Sequence, residues 1–223
     1  MSNMAVTRHP PIRDQIAGIL RAAIVNLEFA PGQLLVERNL CELTQASRPS
    51  VREALRQLEA EGLVESQNGR GTVVRVVSAE EASQVYEVRA ELEGLAARLF
   101  TERSTPTQRS ELSSALDTLR TTIRGEEPSR AILDAQAEFY RILFSGAGNP
   151  FLEKTVQGMQ VRIAQLRATT LAVPGRIEAS LAEFEKIAER IAVGDAEGAR
   201  TAAVEHVAHA GRAMAQSRSG EPS

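Results

Sequence analysis

The stretch from Ser47 to Gly71, SRPSVREALRQLEAEGLVESQNGRG, constrains the fold more than any other part of the chain. Its first half predicts a short helix, because Ser47 is a favourable N-cap and Pro49 falls in the first turn, where a missing N–H costs little. Apolar residues then recur at three- and four-residue spacing, while arginines lie on another side. One face of this helix should therefore pack against the protein, and another should carry guanidinium groups. The apolar positions are Val51, Ala54, Leu55 and Leu58, and the arginines are Arg48, Arg52 and Arg56.

The second half of the same stretch predicts a β-hairpin. Short β-type runs at 63–66 and 72–76 flank Asn68-Gly69, a pair typical of hairpin turns because both residues tolerate positive φ. Arg70 follows directly at the tip. A helix followed by such a hairpin is the arrangement of a winged helix-turn-helix. The helix can enter the major groove of DNA while the hairpin, or wing, reaches a neighbouring groove or phosphate.

Four segments in the N-terminal third carry a recognisable pattern: Phe29–Leu35, Glu37–Leu40, Ser47–Leu55 and Glu61–Val64. Together, over roughly residues 12–77, they resemble the DNA-binding domain of the GntR family. The resemblance implies that the chain binds double-stranded operator DNA. The residues by themselves also allow a plainer interpretation, a solvated basic helix beside an ordinary hairpin.

The position of each residue in this domain suggests its role on DNA. Arg48 and Arg52, near the amino end of the helix, are expected to read base edges, since arginine pairs well with guanine. Arg38 and Arg56 are expected to hold phosphates; the alternative for Arg38 is an ordinary surface arginine. The other predicted contacts lie at the helix start and at the wing tip: Ser47, Pro49, Ser50, Asn68, Gly69 and Arg70.

Charge is distributed unevenly along the chain. The net charge of −3 by itself argues against a nucleic-acid-binding protein. Residues 1–77, however, hold nine arginines and eight acidic residues, a balance of +1, whereas the remainder has a balance of −4. DNA binding must therefore depend on a few placed arginines and not on bulk positive charge.

Cysteine usage and hydropathy indicate a cytoplasmic protein without a membrane segment. The single cysteine, Cys41, cannot form an intrachain disulfide and is consistent with a reducing compartment. Apolar runs do not approach the length that crosses a bilayer, and the N-terminus lacks the apolar region of a secretory signal.

The rest of the chain predicts helices. A capping-box pattern at Ser78–Glu81 marks a domain boundary, and helical patterns without a strand signal follow it. The expected fold class is therefore mainly α, with a winged helix-turn-helix at 1–77 and an all-α six-helix bundle at 78–223. Residues 1–9 are expected to form a loose arm, and those from Ser217 to be disordered. The six helices should start near Ala79, Thr105, Pro128, Asn149, Pro174 and Gly194.

A second pattern extends over most of residues 79–215. It consists of Val88, Arg89, Leu92, Glu93, Phe139, Tyr140, Gly148–Pro150, Gly194, Asp195, Ala199 and His206. This part resembles the ligand-sensing FCD domain of the FadR subfamily of GntR regulators. The resemblance implies that the domain binds an effector and dimerises, so that a homodimer reads a near-palindromic operator. In its first helix, the apolar residues expected to face inward are Val85, Val88, Leu92, Leu95 and Leu99.

Many members of that subfamily hold a divalent metal inside the bundle with an aspartate and three histidines. In this sequence those four positions fall on Gln136, Tyr140, Phe184 and His206. An amide, a phenol and a phenyl ring are poor ligands for zinc or manganese, and one imidazole cannot hold such an ion. We therefore expect no metal and no other cofactor, unless residues outside this set supply the ligands.

Polar residues at inward positions of the bundle indicate an effector cavity. Each of them needs a partner, which is either another residue of the cluster or a ligand. An arginine and a histidine together suit a carboxylate-bearing metabolite. The alternative is a buried polar network that its own members satisfy, without a ligand. The candidate effector residues are Arg89, Gln136, Tyr140 and His206, with Phe184 as an apolar wall and Arg162 as a further candidate.

These features together predict a ligand-responsive transcriptional regulator, and the resemblance implies a repressor that a small organic acid releases from DNA. The sequence has no Ser-His-Asp order, HExxH motif or phosphate-binding loop that would indicate an enzyme. Two other functions remain compatible with the residues: an architectural DNA-binding protein without an effector, and an all-α enzyme with a DNA-binding head.

Overall fold

The computed structural model describes residues 11–125 and 129–219, and it divides into two compact units, one ending at Val76 and the other beginning at Val77. The predicted N-terminal arm and the helix start predicted at Pro128 lie outside the described residues. Within the described ranges, every helix is too short or too polar to cross a lipid bilayer.

Three helices and a two-stranded antiparallel hairpin form the N-terminal unit. The elements are α1 (Ile12–Val25), α2 (Glu37–Thr44), α3 (Arg48–Ala60), β1 (Val64–Gln67) and β2 (Gly71–Val74). In the hairpin, Val64 pairs with Val74, and Leu34 forms a single antiparallel bridge to Val73. The segment before α2 therefore runs beside β2. Helix α3 followed by this hairpin confirms the predicted winged helix-turn-helix.

The hairpin turn places glycine where the backbone is left-handed. Gly69 has a φ of +77° and Gly71 a φ of +104°, whereas Asn68 does not adopt a positive φ. Across the turn, the amide of Arg70 donates to the carbonyl of Gln67 at 3.0 Å. The predicted hairpin is present, but its backbone depends on Gly69 and Gly71 and not on the Asn68-Gly69 pair.

Helix α3 is fixed from behind and at its carboxyl end. Val51, Ala54 and Leu58 on its inner face are fully buried, and α1 packs directly against the helix. Arg21 of α1 donates two hydrogen bonds, of 2.8 and 2.6 Å, to the carboxylate of Glu61, which caps α3.

Seven helices form the second unit within the described residues, one more than predicted. They are α4 (Ala79–Arg103), α5 (Pro106–Arg124), α6 (Ser129–Gly146), α7 (Pro150–Gln157), α8 (Gln160–Leu171), α9 (Arg176–Ala192) and α10 (Ala196–Ser219). The predicted fourth helix is divided between α7 and α8, and Gly158, a residue type that weakens helices, lies at the break. Helix α10 reaches Ser219, so the prediction of disorder beginning at Ser217 is wrong for residues 217–219. The all-α character of this unit is confirmed.

Side-chain caps begin these helices where the sequence indicates. The hydroxyl of Ser78 accepts from the amide of Glu81 at 3.1 Å at the start of α4. Thr105 and Gln108 form a full capping box at the start of α5, because each side chain accepts from the other residue's amide. Such bonds satisfy helix-terminal N–H groups that have no partner within the helix, which is why the helices start at these residues.

Helices α4 and α10 pack closely through small residues. A Cβ atom on Gly94 of α4 would lie 2.8 Å from Cγ2 of Val204, so a larger residue would force Val204 to shift at this crossing. Ala199, Ala202 and Ala203 of α10 are buried beside it. Short side chains therefore set how near the two helix axes approach.

The inward face of α4 differs by one residue from the predicted apolar stripe. Val88 was predicted to face inward, but its side chain is 47% exposed, whereas Arg89 is 2% exposed. Glu93, one turn later, is also 2% exposed. The inward face of α4 at this level is therefore shifted by one residue from the predicted one, and it carries the charged pair Arg89–Glu93 next to the predicted Val88 and Leu92.

We predict that Gly146→Ala destabilises the helical unit. The added methyl group would overlap the ring of Phe100, which is fully buried, and overpacking of this kind typically costs about 1–3 kcal/mol. Gly18→Ala is the matched control, because a methyl group at that helical position would meet no heavy atom within 4 Å. It should stabilise α1 by roughly 0.5–1 kcal/mol. Urea unfolding measures both changes, and an unaltered Gly146→Ala variant would contradict the packing of α6 against α4.

Candidate functional site

The amino end of α3 is built as the sequence predicts. Ser47 is the N-cap: its hydroxyl accepts from the amide of Ser50 at 3.4 Å and lies 2.9 Å from the Ser50 hydroxyl. Pro49 occupies the first turn. The free N–H groups of a helix start and two hydroxyls are thus presented at the surface, a combination that suits phosphate oxygens.

The predicted DNA-contacting arginines are all exposed, and three of them lie beside a glutamate. Nε of Arg52 donates to Glu37 of α2 at 2.8 Å. The distance from a guanidinium nitrogen to the nearest carboxylate oxygen is 2.5 Å for Arg56 and Glu53, and 4.0 Å for Arg38 and Glu42. Arg48 forms no ion pair with any residue that the structure describes. The hydrogen bond from Arg52 lowers the pKa of Glu37 most, and the charge of Arg48 still adds a smaller contribution in the same direction.

The wing tip is open to solvent. Asn68, Gly69 and Arg70 are exposed, and a Cβ on Gly69 would meet nothing within 4 Å. Nη1 of Arg70 donates weakly to Gln67 at 3.4 Å. These residues are free to contact a partner without any change in the packing of the unit.

In the helical unit, the structure brings together five of the six candidate effector residues. Arg89, Gln136, Tyr140, Phe184 and His206 are each at most 5% exposed. The ring centroid of Phe184 lies 4.8 Å from that of His206 and 5.5 Å from that of Tyr140. The predicted polar positions on α4, α6 and α10 therefore do converge in one buried cluster.

A buried ion pair forms one side of this cluster. Nε of Arg89 donates to Glu93 at 2.9 Å, and a nitrogen of Arg167 lies 3.6 Å from the same carboxylate. Burial by itself would raise the pKa of Glu93, but the charges of Arg89 and Arg167 outweigh it and lower the pKa. The carboxylate is therefore ionised. The guanidinium of Arg167 also lies 3.9 Å above the ring of Tyr140, a cation–π contact.

Glu183 forms the other side of the cluster. Its carboxylate accepts from Nδ1 of His206, from Nδ1 of His209 and from Nη2 of Arg176, each at 2.6 Å. Burial alone would raise the pKa of Glu183, but the hydrogen bonds from His206 and Arg176 outweigh it and hold the pKa at about 2. Burial lowers the pKa of His206 below its ordinary value, so its ring is neutral at pH 7.

A small cavity of about 20 Å³ lies beside these groups, and Arg89, Arg176 and His206 are among its lining residues. Such a volume holds about one water molecule. Nη1 of Arg89, Nε of Arg176 and Oε2 of Glu93 are buried and have no hydrogen-bond partner among the described residues. Both arginines line the cavity, together with Gln136, whose amide lies 3.5 Å from the Ser180 hydroxyl. The polar network is thus not satisfied by its own members.

Arg162 does not join the cluster. It was expected as a further effector residue, but its Nε donates to Glu81 at 2.6 Å, and it does not line the cavity. Arg167, five residues later on α8, faces the cluster instead. A helix turns through about 500° over five residues, so the two arginines lie on different faces.

Sequence reasoning missed several members of the cluster: Tyr86, Glu93, Arg167, Thr170, Arg176, Ser180 and Glu183. A signal existed for Glu93, since Arg89 and Glu93 are four residues apart and such pairs meet on one helix face. The contact of Glu183 with His206 and His209 had no local signal. These residues are 23 and 26 positions apart and lie on different helices.

The side chains at the family's metal positions do not fit a metal. Gln136, Tyr140 and Phe184 supply an amide, a buried phenol whose pKa is raised by burial, and a phenyl ring. The remaining imidazole, His206, is bonded to Glu183. Among the described residues, no group of three or more His, Cys, Asp or Glu side chains could hold an ion.

Sequence profiles of two families match the chain. The profile described as "Bacterial regulatory proteins, gntR family" matches residues 12–74, and the profile described as "FCD domain" matches residues 84–209. The second match alone covers more than half of the chain. The two matched ranges fall on either side of the boundary between the compact units.

Two relatives and one solved structure illustrate the similarity. The chain is 24% identical over 209 residues to the HTH-type transcriptional regulator YdhC of Bacillus subtilis (strain 168), covering 94% of this chain and 93% of that protein. It is 29% identical over 206 residues to the HTH-type transcriptional repressor NanR of Enterobacter sp. (strain 638), covering 83% and 76%. Among solved structures, E. coli McbR/YncC is 21% identical with a TM-score of 0.81, covering 94% of this chain and 100% of the other. The last similarity is one of fold.

We predict an acid-sensitive contribution of Glu183 to stability. Its pKa is about 2 in the folded protein and near the ordinary 4.5 when unfolded. The folded value is the lower one, so the contribution, roughly 3 kcal/mol, is present above pH 4.5 and is lost as the pH falls from 4.5 towards 2. Glu183→Gln should therefore be less stable than wild type at neutral pH, and the difference should shrink below pH 4.5.

Urea unfolding at a series of pH values between 7 and 3 measures this difference. Glu189→Gln is the matched control, because Glu189 lies on the same helix and is exposed. Its stability difference from wild type should be small at every pH. A Glu183→Gln difference that stays constant down to pH 3 would show that the hydrogen bonds to Glu183 do not depress its pKa.

Proposed function

Because the chain belongs to the GntR family and carries an FCD domain, we propose that it is a homodimeric repressor that a small organic anion releases from operator DNA. Family membership makes it a ligand-responsive, DNA-binding transcriptional regulator. The dimer, the direction of regulation, the DNA-contacting residues and the class of effector are our proposals.

We propose that α3 enters the major groove with its amino end. Arg48 and Arg52 would read base edges, and Arg38 and Arg56 would hold phosphates. The burial of the opposite face of α3 supports this orientation, since only the arginine-bearing side is open. The remaining proposed contacts are Ser47, Pro49 and Ser50 at the helix start, and Asn68, Gly69 and Arg70 at the wing tip.

The name of one relative supports repression, and the homodimer is part of our proposal. NanR of Enterobacter sp. is named a repressor, and it matches most of this chain. A dimer with two-fold symmetry would bind an operator with two similar half-sites, one for each α3. A protein that acts on chromosomal DNA is expected in the cytoplasm, and we assign no catalytic role to any residue.

Charge in the buried cluster supports an anionic effector. The cluster holds three guanidinium groups and two carboxylates: Arg89, Arg167, Arg176, Glu93 and Glu183. Because His206 is neutral, one positive charge is uncompensated. An uncompensated charge with little access to water is costly, and an anion would relieve it. Arg89 and Arg176 both line the cavity, and each has one buried donor atom without a hydrogen-bond partner among the described residues. These unpartnered donors are the observation that carries the proposal, and the excess charge favours a ligand with a single carboxylate.

The small cavity supplies a physical reason for a response. A volume of about 20 Å³ does not admit a carboxylate-bearing metabolite, so side chains must move when one binds. Arg167 and Thr170 of α8 line the cavity, and Thr170 is also hydrogen-bonded to Tyr86 of α4 at 3.0 Å. We propose that the effector displaces α8 from α4. A ligand that prefers the displaced arrangement can shift DNA affinity by as much as its preference for that state.

We predict that Arg48→Ala weakens specific DNA binding by about 1–3 kcal/mol and relaxes preference at one base pair, because a two-hydrogen-bond contact to guanine is lost. The operator is first identified by selecting duplexes from a random pool with the wild-type protein. Fluorescence anisotropy with that duplex and its single-base variants then measures the change.

Arg13→Ala is the control for a general charge effect, because Arg13 is an exposed arginine on α1, outside the proposed contacts. It should leave base preference unaltered. The proposal of base reading by α3 fails if Arg48→Ala retains both the affinity and the base preference of wild type.

We predict that small monocarboxylates bind the helical unit in the presence of a chelator and lower operator affinity. Arg89→Ala would leave Glu93 buried without its partner, so the test uses the double variant Arg89→Met/Glu93→Leu. Replacing a buried ion pair by apolar residues of similar size is often neutral for stability. Titration calorimetry with a panel of mono- and dicarboxylates should give heat with wild type and clearly less with the double variant, which loses the unpartnered donor of Arg89 but keeps that of Arg176.

Arg162→Ala is the matched control, because it removes a guanidinium that does not line the cavity. It should bind the same acids as wild type. Equal heats for the double variant and wild type would remove Arg89 from the effector site, and binding that disappears with chelator would show that a metal is required.

A further inference from the structure

The position of Arg52 is fixed by a residue on another helix. Nε of Arg52 on α3 donates to Oε1 of Glu37 in the first turn of α2, at 2.8 Å. The two residues are 15 positions apart. The terminal nitrogens of Arg52 make no hydrogen bond to any residue that the structure describes. The guanidinium is therefore held by its inner nitrogen while its outer edge is free.

Stability does not account for this pair. The side chains are 59% and 36% exposed, and ion pairs between exposed groups add little to folding free energy. Holding a long arginine side chain in one conformation also costs conformational entropy. The pair differs from an ordinary surface contact because it uses Nε of Arg52 and leaves Nη1 and Nη2 without a hydrogen bond to Glu37.

We propose that Glu37 is a positioning residue for base recognition, which it performs by aiming Arg52. This inference rests on the proposed role of Arg52 in reading DNA. With Nε bound to Glu37, Nη1 and Nη2 project together and can donate in parallel to O6 and N7 of one guanine. An arginine already held in this orientation loses less freedom on binding than a mobile one, so the correct base gains affinity.

The other arginine pairs on this surface are arranged differently. Arg56 pairs with Glu53 of the same helix through Nη1, at 2.5 Å, so an outer nitrogen is already engaged. Arg38 lies 4.0 Å from Glu42, too far for a hydrogen bond. Neither arrangement leaves an aimed pair of outer nitrogens. Arg52 alone among these paired arginines has the geometry of a base reader.

The charge of Glu37 adds a second contribution to specificity. A carboxylate beside the reading edge repels phosphates, and it does so on every DNA sequence. The aimed contact from Arg52 compensates for that repulsion only where a guanine is present. Glu37 therefore raises the ratio of specific to non-specific binding on both counts, in keeping with the use of repulsive elements in specificity.

Glu37→Ala tests the inference. The probes are the duplex selected by the wild-type protein, the same duplex with the guanine assigned to Arg52 replaced, and an unrelated duplex. The assignment comes from the base pair at which Arg52→Ala loses preference. We expect Glu37→Ala to reduce discrimination at that base pair by about tenfold, while affinity for the unrelated duplex stays equal or rises. Discrimination is a ratio of two affinities, so a lowered fraction of folded protein does not alter it.

Three further variants separate the possible outcomes. Glu42→Ala removes the same charge from the same helix and should leave discrimination intact. Glu37→Gln keeps an acceptor for Nε and should restore most of it. In the Arg52→Ala background, Glu37→Ala should have no further effect on discrimination.

A uniform loss of affinity for all three duplexes with Glu37→Ala would show a merely structural role and overturn the inference. Retained discrimination would overturn it as well. If Arg52→Ala itself leaves base preference unaltered at every position, the proposed function of Arg52 fails first, and that result is recognisable without any Glu37 variant.

Discussion

Charge held away from water is the constraint on which the helical unit depends. Arg89 and Glu93 are each 2% exposed, and removing one partner of such a pair leaves the other without compensation. An apolar core of the same volume would be at least as stable in many proteins. The cluster is therefore poorly explained as a stabilising feature. Unpartnered donors on Arg89 and Arg176, in a cavity with one excess positive charge, are better explained by a negatively charged ligand.

The N-terminal unit also contains arginine–glutamate pairs, but here they lie at the surface and not in the interior. Its ion pairs are exposed, so they contribute little to stability, but they decide where guanidinium groups point. Arg21 and Glu61 join α1 to the end of α3, and Arg52 and Glu37 join α3 to α2. The apolar face of α3 fixes the helix, and the surface pairs then orient its outer side chains. Packing and orientation are in this way supplied by separate sets of residues.

Much of the fold could be predicted from the sequence, because its signals are local. Caps such as Ser78, and the spacing of apolar residues, depend on residues that are only three or four positions apart in the sequence. The break between α7 and α8 was not predicted, since Gly158 within an otherwise helical pattern does not by itself end a helix. Arg89 could be placed only at the border of the inward stripe, because the periodicity of apolar residues favours Val88. Arg167 and Glu183 depend on which helices become neighbours, and no local pattern reports that.

The replaced metal positions and the arginines belong to one explanation. In subfamily members with an aspartate and three histidines, a cation bound in the bundle can attract an anionic ligand. This chain has Gln136, Tyr140 and Phe184 at three of those positions and cannot hold the cation by those groups. The excess guanidinium in the same cluster supplies positive charge from the protein itself. A positive charge on an arginine does not depend on metal supply. The arginine must, however, release its own carboxylate partner, Glu93 or Glu183, before it can pair with the ligand. Under the proposed function, the small cavity and its paired arginines represent the site before an anion binds, and the side-chain movement that enlarges it is the movement that would control DNA binding.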